Sequence, residues 1–255
     1  MLNIADLDSF DGPSAAATAD PRAIRLRAEN VLWPSVPGRS PVVDPEQLRR
    51  GLNVGVAAIG LVLALPLMLV IALAIKLTSR GPVFYVQDRV GVDRRNPLLP
   101  AGNWRRGVDH GGRLFKLYKF RTMVAESDRW GQVWATPGDP RVTRVGSFLR
   151  KYRLDEVPQL WNVLRGDMNI VGPRPEQPKI FKELRQQVDH YHQRQRALPG
   201  ITGLAQVNHH YDQTVDDVRI KLRYDLEYLS RKSVAEDLRI MLRTVPAVLT
   251  KKGAW

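Results

Sequence analysis

Apolar side chains run almost without interruption from residue 52 to residue 75, where Asn53 is the only plainly polar residue. These 24 residues would form a helix about 36 Å long, enough to cross the ~30 Å hydrocarbon core of a bilayer. A helix in the core of a soluble protein is the alternative, but such helices keep a polar face and this segment has none. The pattern therefore predicts a membrane-inserted helix over residues 46–80.

Pro66 lies near the middle of this segment, where a proline removes one backbone hydrogen bond from the helix. Arg49 and Arg50 precede the segment, and Lys76 and Arg80 follow it. Basic residues at both ends favour placing both flanks on the cytoplasmic side of the membrane. A helix that breaks near Pro66 and leaves the membrane by the face it entered satisfies both observations. A straight spanning helix that tolerates the proline is the alternative.

The rest of the chain combines short β-rich runs with helical periodicity, so we predict an α+β fold that is mostly helical with a few short strands. The predicted strands are residues 83–86, 114–120 and 168–171. Apolar spacings of three and four residues predict helices over residues 154–164, 180–191, 215–229 and 238–249. We expect the last helix either to lie in the membrane interface or to pack on the protein core.

Two further segments have little apolar periodicity. Residues 1–45 are rich in Ala, Pro, Asp and Ser, which predicts a disordered or loosely docked arm. Residues 93–112 contain Pro, Gly and several basic residues and predict a variable surface loop. Residues 81–255 then form one further domain after the membrane helix.

The chain is strongly basic, with a formal net charge of +13, which implies an anionic partner. Residues 76–125 carry eleven Lys and Arg side chains against three Asp. Because this block directly follows the apolar segment, attraction to anionic lipid head groups, worth ~1 kcal/mol per basic residue near the surface, is the favoured interpretation. The absence of cysteine excludes disulfides, thiolate nucleophiles and Cys-ligated zinc.

Two adjacent carboxylates, Asp155 and Glu156, stand at the start of the helix predicted over residues 154–164. Pro158 fits only the first turn of that helix, which places Asp155 at or near the N-cap and Glu156 at the first helical position. Arg150 and Arg153 lie just upstream, and a helix N-terminus itself attracts anions. An isolated Asp-Glu pair is more typical of N-capping. With these cations it indicates phosphate chemistry, in which one carboxylate attacks phosphorus while the other holds a metal or a water.

Four stretches of the chain carry a resemblance to a known family. They are LDEVPQLWNVLRGDMNIVGPRP, FYVQDRVG, FKLYKFRTM and PGITGLAQVN. Together they resemble the bacterial sugar transferases called small monotopic phosphoglycosyl transferases, in the family's order and over roughly residues 50–250. Members of that family move a sugar-1-phosphate from a nucleotide diphosphate sugar to a polyprenyl phosphate. They are monotopic membrane proteins with a re-entrant helix-break-helix and interfacial amphipathic helices.

The resemblance implies catalytic roles for the carboxylate pair. Asp155 matches the nucleophile that takes up the sugar-phosphate as a covalent intermediate and releases the nucleoside monophosphate. Glu156 matches its partner, and the pair is expected to bind Mg²⁺, which prefers hard oxygen ligands. Arg150 matches an arginine expected to clamp the diphosphate.

The resemblance also implies substrate contacts elsewhere in the chain. Arg174, which Pro173 and Pro175 flank, is expected to contact phosphate or nucleotide, with a structural salt bridge to Asp167 as the alternative. Further expected substrate-binding residues are Lys119, Arg121 and Gln206. For Lys119 and Arg121, contact with lipid head groups is the alternative.

The partners implied are a nucleotide sugar, taken to be a UDP-sugar, together with undecaprenyl phosphate and membrane lipids. The expected location is the cytoplasmic face of a bacterial inner membrane, where residues 81–255 would form the catalytic domain. No nucleic acid partner is expected, and a homo-oligomer is left open. The competing hypothesis is a membrane-tethered basic scaffold or nucleic-acid-binding protein without catalysis. Nothing in the sequence decides which sugar is transferred.

Overall fold

The computed structural model describes residues 44–94, 109–125, 138–209 and 214–249. The predicted arm at residues 1–45 lies outside this range except for its last two residues, and so does most of the predicted loop at residues 93–112. All described residues belong to one compact unit, Val43–Trp255.

The first element, helix α1, runs from Pro45 to Thr78 and is long and apolar enough to cross a membrane. It begins where the side chain of Asp44 accepts a hydrogen bond from the backbone N–H of Glu46 at 3.0 Å. The helix continues through Pro66, so the predicted break between two helices stays a prediction. A proline removes only one bond from the helical ladder, and when the bonds on both sides persist it bends a helix instead of ending it.

One face of α1 packs against the rest of the protein towards both ends of the helix. The buried positions are Arg49, Asn53, Ala57, Ile71 and Ile75, which share a face at helical spacing. Most of the remaining surface between these ends is exposed aliphatic side chain, as at Ile59, Val62, Leu63, Leu69 and Val70. Both ends of the helix therefore contact the same compact unit, while its middle presents an apolar surface outward.

Four short strands form two small sheets. Strand β1 (Phe84–Val90) pairs antiparallel with β2 (Leu114–Phe120), and strand β3 (Asn169–Val171) pairs parallel with β4 (Gly200–Thr202). The three predicted strands are confirmed, although β1 extends further than expected, and β4 was not predicted. The second sheet needs two glycines, because a Cβ on Gly200 would overlap the backbone of Gly172.

Helices make up most of the remaining described chain, which confirms the predicted mostly helical α+β fold. They are α2 (Arg144–Lys151), α3 (Gln159–Arg165), α4 (Pro178–Gln187), α5 (Leu204–Asn208), α6 (Val215–Arg231) and α7 (Val234–Leu249). Two 3-10 helices, Leu154–Glu156 and Tyr191–Arg196, connect them. The main core cluster joins α1, β2, α3, β3, α5, α6 and α7 through buried residues that include Ala57, Phe115, Val163, Ile170, Leu204, Tyr228 and Ile240.

A buried polar network fixes the start of α1 to the globular part. Arg49 donates from Nε to Asp237 Oδ2 at 3.0 Å and from Nη2 to the hydroxyl of Tyr228 at 2.8 Å. Asn53 accepts a hydrogen bond from the backbone N–H of Ile170 in β3 at 2.6 Å. Because these groups are buried, removing one of them leaves its partners with less compensation for their desolvation.

We therefore expect Arg49→Met to lower the free energy of unfolding by about 3–5 kcal/mol, since it leaves the carboxylate of Asp237 buried without its charge partner. Urea unfolding of the detergent-solubilised protein measures the change. Arg219→Met is the matched control, because Arg219 pairs with Asp216 on the exposed face of α6; we expect it to cost less than about 1 kcal/mol. Equal losses in the two variants would contradict the importance of the buried network.

Candidate active site

The two predicted catalytic carboxylates lie in the 3-10 helix Leu154–Glu156, directly before α3. The backbone enters this turn through Arg153, whose φ of 56° is left-handed, a region that non-glycine residues rarely adopt. The α-helix begins only at Gln159, so the prediction that Asp155 lies at or near its N-cap, with Glu156 at its first position, is wrong. The reason is Pro158, which has no N–H to donate to a carbonyl four residues back, so the preceding turn closes with bonds of 3-10 type.

Glu156 is held by Arg174. Nη2 of Arg174 donates to Oε1 of Glu156 at 2.6 Å, and Nη1 of Arg153 lies 3.7 Å from the same oxygen. The alternative pairing of Arg174 with Asp167 is not present, because Asp167 pairs with Arg165 at 3.3 Å. The loop after β3 thus positions the guanidinium of Arg174 against the carboxylate of Glu156.

The two carboxylates have different electrostatic environments. Burial by itself would raise the pKa of Glu156, but the charges of Arg174 and Arg153 and the hydrogen bond from Arg174 lower it to about 2. Burial, followed by the charge of Glu156, raises the pKa of Asp155, while Lys119, Arg150 and Arg174 act in the opposite direction. Glu156 is therefore firmly ionised at neutral pH, and Asp155 is the more basic of the two.

Within the described residues, no side chain or backbone group hydrogen-bonds the carboxylate of Asp155, although the residue is only 8% exposed. Cations surround it instead. Arg150 donates from Nε to Thr122 Oγ1 at 2.9 Å, and Nζ of Lys119 lies 5.5 Å from the ring centroid of Tyr85. The arrangement places a carboxylate without a hydrogen-bond donor of its own inside a cationic pocket, where an anionic ligand can approach it.

A family model described as "Bacterial sugar transferase" matches residues 45–251 of the chain. The chain belongs to the bacterial sugar transferase family. The match includes all described residues from Pro45 onward and confirms the family that the sequence stretches indicated.

Curated relatives agree with this assignment of a sugar transferase. The chain is 41% identical over 207 residues (81% of this chain, 45% of the relative) to a UDP-N-acetylgalactosamine-undecaprenyl-phosphate N-acetylgalactosaminephosphotransferase of Aeromonas hydrophila. It is also similar to two UDP-glucose:undecaprenyl-phosphate glucose-1-phosphate transferases. One, from Xanthomonas campestris pv. campestris, is 41% identical over 202 residues (78% of this chain, 38% of the relative). The other, from Caulobacter vibrioides, is 40% identical over 220 residues (86% of this chain, 76% of the relative). The chain thus spans less than half the length of the first two relatives.

Of the residues predicted to bind substrate in this sugar transferase, Arg150, Arg174 and Lys119 lie around the carboxylate pair. Arg121 does not. Its guanidinium donates to the carbonyl of Arg80 at 2.6 Å and to the carbonyl of Ser79 at 3.0 Å, so it caps the C-terminal end of α1. The pairing of the two strands continues one step past Phe120, where the backbone N–H of Arg121 donates to the carbonyl of Val83 at 2.9 Å. Arg121 thus lies next to Ser79 and Arg80, which precede β1 in the chain.

Gln206 lies on α5 and lines a cavity of about 280 Å³ that also reaches Glu156. Its Nε2 donates to the carbonyl of Ile201 at 2.9 Å. Its Oε1 is buried and has no hydrogen-bond partner within the described residues. An unpaired buried acceptor costs free energy, so a ligand or a water in this cavity would complete it.

Arg89, on β1, is a residue of the site that the sequence analysis did not single out. It donates from Nη1 to the carbonyl of Pro175 at 2.9 Å and from Nη2 to Gln87 Oε1 at 2.8 Å. Burial, followed by the charge of Arg89, lowers the pKa of Lys119 to about 8, so the two cations are neighbours. The strand pattern could have identified Arg89. Residues at even spacing on a strand share one face, so Arg89 lies on the same face as Tyr85, and Tyr85 pairs with Lys119 across the sheet.

Arg194 is the second residue that sequence reasoning missed, and it supports the loop that carries Arg174. Its side chain is fully buried and donates to the carbonyl of Arg174 at 3.0 Å, to Asp225 Oδ2 at 2.8 Å and to Glu176 Oε1 at 3.2 Å. Lys221 also donates to Glu176 at 2.9 Å. This network lies behind the loop and fixes the backbone from which Arg174 reaches Glu156.

The donor set of this sugar transferase fits Mg²⁺ in the pattern where the protein supplies one or two carboxylates and substrate phosphates supply further oxygens. Asp155 and Glu156 are the carboxylates present, and Oε1 of Glu156 already accepts from Arg174. Within the described parts of the chain, no three His, Cys, Asp or Glu side chains converge as a metal cluster. The pair would therefore hold the ion together with a diphosphate, and the ion would neutralise charge that develops on the phosphate oxygens.

Proposed function

We propose that this sugar transferase moves a sugar-1-phosphate from a UDP-sugar to undecaprenyl phosphate, with Asp155 as a covalent nucleophile. The printed activities of the relatives support the reaction class. The observation that carries the residue assignment is the carboxylate of Asp155, which has no hydrogen-bond donor of its own and lies among Lys119, Arg150 and Arg174. Glu156, paired with Arg174, supports it and joins it in holding Mg²⁺.

The transfer takes two displacements at one phosphorus atom. A carboxylate oxygen of Asp155 attacks the phosphorus that bears the sugar, and the bond from that phosphorus to the bridging oxygen breaks as UMP leaves. A phosphate oxygen of the acceptor then attacks the same phosphorus and displaces Asp155, which regenerates the carboxylate. Arg150, Arg174 and Lys119 stabilise charge on the transferring group, which is the main catalytic requirement of phosphoryl transfer.

The packing of α1 supports a monotopic arrangement, and we place the protein at the cytoplasmic face of the bacterial inner membrane. Ala57 near one end of α1 and Ile75 near the other end both pack into the core of the same compact unit. A straight spanning helix would separate these ends across the bilayer. Helix α7 adds exposed Leu238, Leu242 and Val245, which suit a position in the membrane interface. In such a place the enzyme would perform the first membrane step of exopolysaccharide or glycoconjugate synthesis.

The test is to incubate the protein in nanodiscs with Mg²⁺ and a panel of UDP-sugars and to measure UMP release with and without undecaprenyl phosphate. We expect about one UMP per protein without acceptor and continuous release with it, because the first displacement needs no acceptor. Release that requires the acceptor from the first turnover would contradict the covalent route. No release from any donor, together with steeply salt-dependent nucleic acid binding, would favour the basic scaffold instead.

The titration of Lys119 gives a pH prediction for the same assay. Its pKa of about 8 means that it carries its charge below that pH and loses it above. Because the charged form binds the donor diphosphate, we expect the KM for the UDP-sugar to rise as pH increases through about 8, and Lys119→Arg to remove this rise. Lys116→Arg is the control, since Lys116 is exposed on the same strand and pairs with Asp88. A KM that stays flat in the unaltered protein would contradict the assignment.

A further inference from the structure

The cavity that contains Gln206 adjoins the carboxylate pair at Glu156. Its volume is about 280 Å³, and the 3-10 helix Leu154–Glu156, α3, the β4–α5 segment and α7 form its walls. Aliphatic side chains make up most of these walls, among them Leu154, Val157, Leu160, Ile201, Ala247 and Val248. Arg153 and Glu156 form the edge that faces the site.

The site therefore combines two kinds of surface. Lys119, Arg150 and Arg174 surround Asp155 and suit the two phosphates and the hydroxyls of a nucleotide sugar. The cavity borders Glu156, and most of its other walls are apolar. A nucleotide sugar has no long apolar part to fill such a cavity, whereas the acceptor of the proposed reaction consists of a phosphate attached to a long hydrocarbon chain.

The walls of the cavity also belong to the elements with exposed apolar surface. Leu160 packs against α1 at Gly60, where an added Cβ would lie 3.3 Å from Leu160 Cδ1. Ala247 and Val248 come from α7, and the same helix exposes Leu242 and Val245. An apolar chain could thus pass from lipid to the cavity along aliphatic side chains of α7.

We propose that this cavity binds the first isoprene units of the polyprenyl phosphate acceptor, so that the acceptor phosphate lies at the edge formed by Arg153 and Glu156. This inference rests on the proposed function and adds the location of the acceptor. A cavity of about 280 Å³ is at the lower end of the ~300–1,000 Å³ typical of small-molecule sites, so it receives the start of the chain and leaves the remainder in lipid. The other chemically reasonable occupant is the uracil base of the donor, which could use Gln206 and Thr202.

The experiment is to fill the cavity from α7 with Ala247→Phe and to measure the two half-reactions separately. We expect the KM for undecaprenyl phosphate to rise about tenfold or more, because the added ring occupies the volume that the chain needs, while the KM for the UDP-sugar changes less than about threefold. Ala235→Phe is the matched control, since it places the same ring on the exposed face of the same helix; we expect it to leave both constants unchanged.

Each result bears on the cavity. A raised KM for the UDP-sugar with an unchanged KM for the acceptor would assign the cavity to the base and overturn the inference, as would two unchanged constants. If Ala247→Phe does not fold, Ala247→Leu is the substitute, with a smaller shift of the same sign. Absence of UMP release from the unaltered protein would instead refute the proposed function itself, so the two failures are distinguishable.

Discussion

Replacing Asp155 with asparagine is expected to lower turnover by about 10⁴-fold or more, because an amide cannot form the acyl-phosphate intermediate. Asparagine has almost the same shape, so the turn and its neighbours should persist. The substitution removes a negative charge from the path of an incoming diphosphate but leaves an amide oxygen as a weaker ligand for Mg²⁺. These two effects oppose each other, so donor binding should be largely retained while the chemistry stops. A fall in kcat without a rise in donor Kd is the signature to measure.

The control for this prediction is Asp167→Asn, which removes a carboxylate that pairs with Arg165 instead of facing the cationic pocket. We expect it to retain most activity. Both variants should remain with the membrane fraction, since neither touches α1. Activity in Asp155→Asn above about one per cent of the unaltered enzyme would mean that another group attacks phosphorus, and a donor labelled in the sugar should then still label the variant covalently.

The second large effect is expected for Arg174→Lys, which should lower kcat/KM by about 10²–10³-fold although it keeps the charge. Lysine lacks the planar guanidinium that lets Arg174 donate to Glu156 at 2.6 Å from a loop of fixed backbone. With that hydrogen bond weakened, the pKa of Glu156 should rise. Activity is lost as Glu156 takes up a proton, so the acid limb of the pH profile should move to higher pH.

Arg185→Lys tests whether loss of any arginine–carboxylate pair has such an effect. Arg185 matches Arg174 in exposure, at 36% of its side chain, and donates to Asp109 at 2.9 Å away from the site. We expect its kcat/KM and its acid limb to be unchanged. An unshifted acid limb in Arg174→Lys would mean that Arg174 acts on the substrate alone and not through Glu156.

Sequence patterns predicted the parts of the fold that are determined by residues close together in the sequence. Residues 114–120 form a short run rich in residues that favour strands, and the structure has β2 over that same range. The apolar stripe of α6 was likewise visible from Val215 onward. The carboxylate pair and its upstream arginines were found because they are close in sequence and carry charge next to an apolar helix.

The features that were missed depend on contacts between distant residues. Strand β4 has three residues and exists because Gly172 and Gly200 allow two backbones to approach closely, which no short-range pattern reveals. The support of Arg174 by Arg194 joins residues twenty positions apart through a backbone carbonyl. The guanidinium of Arg121 suits phosphate equally well by its chemistry, and only the tertiary structure shows that it donates to the carbonyls of Ser79 and Arg80.

The buried polar network of Arg49 and Asn53 limits how a water-soluble version of this enzyme can be made. Deleting α1 would remove the charge partner of Asp237 and the hydrogen-bond acceptor of the backbone N–H of Ile170. It would also expose to water the core residues against which Ala57 packs. The lipid-binding segment is thus a piece of the folded body. Solubility would have to come from polar substitutions on its outward surface, at positions such as Val62 and Leu69, with the inward surface left intact.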